Sequence, residues 1–84
     1  MVSGYILISL SSGHEESVIE AIRQINGVKN VEVVFGRWDL FVEIEAENLN
    51  ELANIITAKI RAIPTVTKTE TLIMTELKKT RTFV

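Results

Sequence analysis

The run VFGRWDLFVEI (34–44) is apolar and strand-like except at four adjacent residues, Gly36, Arg37, Trp38 and Asp39. Their types suit a small charged ligand. Glycine lets a backbone approach closely with its N–H free, and neighbouring turn N–H groups suit a carboxylate. Arg37 can add charge toward a ligand or across a subunit contact. Asp39, an acceptor only when ionised, complements an ammonium group. A zwitterion such as an amino acid presents both charges. The same four residues also read as a plain tight turn. Trp38, the single tryptophan, either covers a contact surface or packs back across the hairpin.

Other chemistry-bearing residues are sparse. His14 is the only histidine and precedes Glu15 and Glu16. It reads as a general base or metal ligand or as a solvated residue at a helix start. Neighbouring helix residues do not face one another, so His14 with two adjacent glutamates is a poor metal cage. Ser9, Ser11 and Ser12 lack a base partner for a triad. Neither a catalytic residue, a metal nor a cofactor is expected. Thr65, Thr67, Thr69 and Thr71 alternate, which predicts one shared strand face, either solvated or a row of hydroxyls for a ligand. Lys78, Lys79 and Arg81 form a small basic cluster, the usual composition of a solvated tail.

The positioning elements follow from periodicity. YILISL (5–10) predicts a strand, apolar on both faces. Ser12 with Glu15 has capping-box spacing, and Val18, Ile22 and Ile25, with Ala21 beside them, recur at helical spacing until Asn26-Gly27 ends the helix. VKNVEVVF (28–35) predicts a second strand and LFVEIEA (40–46) a third, with Leu40, Val42 and Ile44 on one face and Phe41, Glu43 and Glu45 on the other. Asn48 with Glu51 repeats the capping spacing. Leu49, Leu52, Ala53, Ile56, Ile60 and Ile63 form the stripe of a second helix, and Pro64 follows its end. TVTKTETLIM (65–74) predicts the fourth strand; the pattern of 75–84 fits either a short strand or a loose tail.

The order β-α-β-β-α-β, with similar rhythm in INGVKNVEVV (25–34) and IPTVTKTETL (63–72), predicts one α+β domain over 1–84. Its fold class is a ferredoxin-like sandwich, an antiparallel sheet with two helices on one face. Hydrophobic residues make up 46 % of the 84-residue chain, yet Tyr5, Ile6, Leu7 and Ile8 are apolar on both sides of one strand. Two helices cover one sheet face only. The other face predicts a dimer, sheet against sheet, at roughly 10 Å separation, since each large aliphatic side chain buried is worth about 1.5–3 kcal/mol. A formal net charge of −2 with scattered cations is not the footprint of a nucleic-acid binder. The chain lacks cysteine, which excludes disulfides and thiolate metal sites. No stretch reaches the roughly 18 apolar residues of a membrane span, and no basic residue precedes YILISL as in a signal peptide; a cytoplasmic location is expected.

Gly36-Arg37-Trp38-Asp39-Leu40 resembles the glycine-x-aromatic-aspartate turn of the Lrp/AsnC family of transcription regulators. IPTVTKTETLIMTE (63–76) resembles that family's segment in which proline and glycine precede a threonine-x-threonine strand, with Thr65 here in the glycine's place. The resemblance spans essentially the whole chain and corresponds to the family's effector-binding (RAM) domain. It implies a dimeric α+β barrel, dimers gathered into octamers or decamers, and a small amino acid, branched-chain ones among the candidates, bound between dimers. Residue by residue, Gly36, Arg37, Trp38 and Asp39 match the pocket turn, Thr69 and Thr71 the threonine pair, and Leu72, Ile73 and Met74 a segment linked to effector response. All 84 residues match the effector domain and none the helix-turn-helix domain. The expectation is therefore a stand-alone RAM protein without direct specific DNA binding, acting by co-assembly with full-length relatives. Three readings compete. They are a small dimeric ferredoxin-like enzyme of the cofactor-free monooxygenase or acylphosphatase type, a pure scaffold, and weak nucleic-acid binding through the basic cluster.

Overall fold

The computed structural model describes residues 1–11 and 15–74. Ser12, His14, Lys78, Lys79 and Arg81, and the expectations attached to them, lie outside the described residues. The described elements run β1 (Val2–Leu10), α1 (Glu15–Arg23), β2 (Val28–Val33), β3 (Leu40–Ala46), α2 (Leu49–Asn54) continuing as a π-helical segment (Ile55–Ile60), and β4 (Val66–Met74). The four strands form one antiparallel sheet of order β2-β3-β1-β4. This is the expected α+β sandwich, with β1 and β3 central and β2 and β4 at the edges.

Alternation built β3 as read: Leu40, Val42, Ile44 and Ala46 are buried, while Phe41, Glu43 and Glu45 face the other side. Ile6 and Ile8 of β1 join them, and Val18 and Ile22 of α1 close over the sheet with Leu52, Ile56 and Ile60 of the second helix. Two details of α1 differ from its spacing. Ala21 is exposed, and Ile19 packs on the core instead. Gly27 follows the helix at φ +100°, and a Cβ there would lie 2.9 Å from the Glu45 carbonyl oxygen and 3.0 Å from Ile55 Cδ1. Glycine at this point thus serves both the left-handed turn and the approach of β3, whose Glu45 N–H donates to the Gly27 carbonyl at 2.8 Å.

The second helix starts as its sequence predicts. Asn48 Oδ1 accepts from Glu51 N–H at 2.8 Å, and the Glu51 carboxylate reaches back to Glu47 N–H at 2.9 Å. Asn48→Ala is expected to cost about 1 kcal/mol, the usual value of an N-cap, read as a lower denaturation midpoint. The helix's apolar stripe holds at Leu52, Ile56 and Ile60, which are buried, with Ile63 packed against the core, but not at Leu49, 53 % exposed, or Ala53, exposed. From Ile55 the backbone widens, and Arg61 N–H bonds to the Ile56 carbonyl five residues back at 2.9 Å, the π pattern. The wider turn brings Ile55 and Ile56 to the sheet together.

Two strands carry bulges. In β2 one extra residue separates the Val28–Ile44 and Asn30–Glu43 pairs. In β4, Val66 pairs with Leu10 but Lys68 with Ser9. The extra residue at Thr67 breaks the alternation of threonines. Val66, not Thr65 or Thr67, packs on the core, and only Thr69 and Thr71 keep a common face, opposite Ile8 and Ile6. β2 also ends at Val33, earlier than expected, leaving Phe35 fully exposed. The sheet face away from the helices carries Tyr5, Leu7, Phe41, Leu72 and Met74, with the Tyr5 and Phe41 rings stacked at 5.1 Å.

Candidate functional site

The connection after β2 is a six-residue loop, 34–39, rather than a tight turn. Its two ends close on each other where Val34 N–H donates to the Asp39 carbonyl at 3.0 Å. Asp39 then fixes the loop to the end of β1. Its N–H donates to the Ile8 carbonyl at 2.8 Å, and its Oδ2 accepts from Leu10 N–H at 2.8 Å. The first bond extends the β3–β1 ladder by one step. The second satisfies a β1 donor that β3 has already passed, a charge-assisted bond of the stronger kind. Gly36 stands at φ +126° with nothing within 4 Å of a Cβ. Glycine is therefore required here by backbone conformation, not by a close neighbour within the chain.

Arg37 is exposed and Trp38 half-buried. Lys68 Nζ lies 5.6 Å from the Trp38 ring centroid, within cation–π range. This contact joins the loop to β4 across the intervening β1. Thr69 shares the Ile8–Leu40 rung that borders the loop, and Thr71 the next, with Ile6 and Val42. Leu72, Ile73 and Met74 lie toward the far end of the sheet, paired with Tyr5, Gly4 and Ser3, roughly 10–17 Å beyond Thr69 along the strand at about 3.3 Å per residue. Leu72 and Met74 lie on the face away from the helices and Ile73 on the other. One chain thus gathers Gly36, Arg37, Trp38, Asp39 and Thr69, and keeps Leu72, Ile73 and Met74 apart from them.

Sequence reasoning missed two cations. Arg61, just beyond the π-helical segment, and Lys68 line a hollow of about 350 Å³ together with Val66, Thr67 and Thr69. The lysine inside T-K-T and the arginine after a buried isoleucine were visible in the sequence, but only the π turn and the Thr67 bulge set them on one hollow. Among the described residues there is no cluster of three or more His, Cys, Asp or Glu side chains placed to hold a metal, and no helix long and apolar enough to cross a membrane.

An antiparallel βαββαβ sandwich defines a ferredoxin-like α+β module, here with a hollow at the edge of β4 and a loop pinned to β1. Residues 3–83 match the model of the Lrp/AsnC ligand binding domain, and the chain belongs to that family. It is 36 % identical over 59 residues to the uncharacterized HTH-type transcriptional regulator PF0250 of Pyrococcus furiosus. That match covers 70 % of this chain and 39 % of the regulator, so the chain spans about two fifths of that relative's length. The crystal structure of the hypothetical protein PHS023 from Pyrococcus horikoshii superposes with a TM-score of 0.85 at 37 % identity, covering 90 % of this chain and 92 % of that one. The transcriptional regulator NMB0573 of Neisseria meningitidis, solved as an L-Met complex, shares the fold at a TM-score of 0.82 and 13 % identity, over 96 % of this chain and 54 % of that one.

Proposed function

We propose that this chain is an oligomerising, non-enzymatic sensor of a small amino acid, which it binds at contacts between dimers. Through co-assembly it modulates regulators of the Lrp/AsnC type. The observation that carries the reading is the Asp39 latch: it fixes the loop bearing Arg37 and Trp38 to the end of β1, with Lys68 over the Trp38 ring, and this supports reading the loop as one half of a site that a neighbouring subunit completes. The apolar sheet face supports the assembly part. Tyr5, Leu7 and Phe41 lie outside the helix-covered core, and Leu72 and Met74 are 52 % and 51 % exposed. A patch of this kind on a chain this small marks a contact surface. Membership of a ligand-binding family and the L-Met complex of NMB0573 support an amino acid as effector.

A ligand that binds only the assembled form stabilises it by mass action. Sedimentation velocity at micromolar concentration is expected to show a dimer or larger species whose size distribution shifts on adding one or more amino acids from a full panel, with a matching heat of binding in calorimetry. Mixing with a full-length Lrp/AsnC-type regulator should give mixed oligomers. A strict dimer with no heat from any amino acid would defeat the proposal.

A further inference from the structure

The hollow at the edge of β4 is positively charged. Among the described residues its lining includes two cations, Arg61 and Lys68, and no carboxylate. Among the described residues the one ion pair is Lys29–Glu45, so neither cation is neutralised there. The Thr67 hydroxyl donates to the Ser9 carbonyl at 3.0 Å, which leaves Thr69 as the hydroxyl donor of the lining. Just before that strand, outside the lining of the hollow, the Thr65 hydroxyl oxygen is buried and has no hydrogen-bond partner. Buried polar atoms are rarely left so. A volume of about 350 Å³ is large enough for an amino acid. Lys68 connects this hollow to the loop site, since it lines the one and lies over Trp38 of the other.

Among the described residues, and counting the loop's Arg37, the two places together hold three cations and one carboxylate, Asp39, whose Oδ2 accepts from Leu10 N–H. A zwitterion with an uncharged side chain leaves that excess standing, whereas a dicarboxylic amino acid offsets it. We infer that the hollow lined by Arg61, Lys68 and Thr69 is a carboxylate subsite, and that the effector is an amino acid with an acidic side chain, aspartate or glutamate. This inference rests on the amino-acid reading above. The planar guanidinium of Arg61 offers a two-point fit to a carboxylate, and Lys68 adds a point charge.

The test is calorimetry on the intact chain with L-glutamate, L-aspartate, L-leucine, L-methionine, succinate and inorganic phosphate, repeated on Arg61→Gln. The acidic amino acids are expected to bind at least about tenfold tighter than leucine or methionine, and Arg61→Gln to remove most of that preference, the loss of one charge-assisted pair. Circular dichroism of Arg61→Gln should match that of the unmodified chain, since Arg61 is exposed. Leucine or methionine binding as tightly as glutamate, or a preference untouched by Arg61→Gln, overturns the inference and leaves the amino-acid sensor standing. Binding of succinate and phosphate as tight as that of glutamate, and dependent on Arg61, keeps the anion hollow but overturns the amino-acid effector. No binding by any probe overturns both.

Discussion

Asp39→Ala is expected to destabilise the fold by about 2 kcal/mol, and Asp39→Asn by much less. The carboxylate accepts the Leu10 N–H at 2.8 Å in a part-buried setting, and hydrogen bonds to charged groups are worth about 1.5–3 kcal/mol. Alanine leaves that N–H without a partner. Asparagine keeps a carbonyl oxygen that accepts the same bond, without the charge. Denaturant titration at one fixed protein concentration reads the difference; the concentration must be held because assembly itself adds stability. The pair of variants also separates two roles of one side chain. If Asp39 pairs with the ammonium of an amino acid as well as with Leu10, Asp39→Asn loses affinity while keeping most of the stability. An alanine variant as stable as the unmodified chain would mean the latch does not hold the loop, and the half-site would lose its anchor.

This latch marks a limit of what sequence reveals. The Gly36-Arg37-Trp38-Asp39 motif is legible because its residue types stand out from the apolar strands around them. Its geometry is not, because Ile8 and Leu10 come from β1, some thirty residues earlier. The sequence offers Asp39 either to an ammonium group or to a plain turn, while the fold commits one of its oxygens to the backbone of β1. β3 was legible to the residue because strict alternation over seven residues leaves no second solution. The Asn48–Glu51 cap was legible because its partners are local. The π turn and the Thr67 bulge were hidden for the opposite reason. Each is a one-residue slip that fits an element to the sheet, and neither leaves a local signature in IITAKI or TVTKT. Those two slips decide where Arg61, Lys68 and Thr69 meet, so the hollow is where the reading of single elements fails.

The second large effect concerns the uncovered sheet face. Leu7 lies on it at the middle of β1, a central strand, between Phe41 of β3 and Glu70 of β4. Leu7→Lys is expected to leave the chain folded and to weaken its self-association by about a thousandfold or more. The core side of β1 is carried by Ile6 and Ile8, both fully buried, and a lysine at position 7 stands opposite Glu70, a favourable cross-strand pair. The contact between two copies has no such compensation. A two-fold interface presents each residue twice. Losing the burial of one leucine per subunit at about 2 kcal/mol therefore removes roughly 4 kcal/mol, about three powers of ten in the dissociation constant. Two buried ammonium groups add a desolvation penalty to that. Sedimentation equilibrium, with circular dichroism as the check on folding, measures both halves of the expectation. If, as proposed, the loop supplies only one side of an amino-acid site, binding should vanish together with assembly. A variant that assembles like the unmodified chain would place the contact elsewhere, and an unmodified chain that is already monomeric at micromolar concentration would remove the need for a cover on this face.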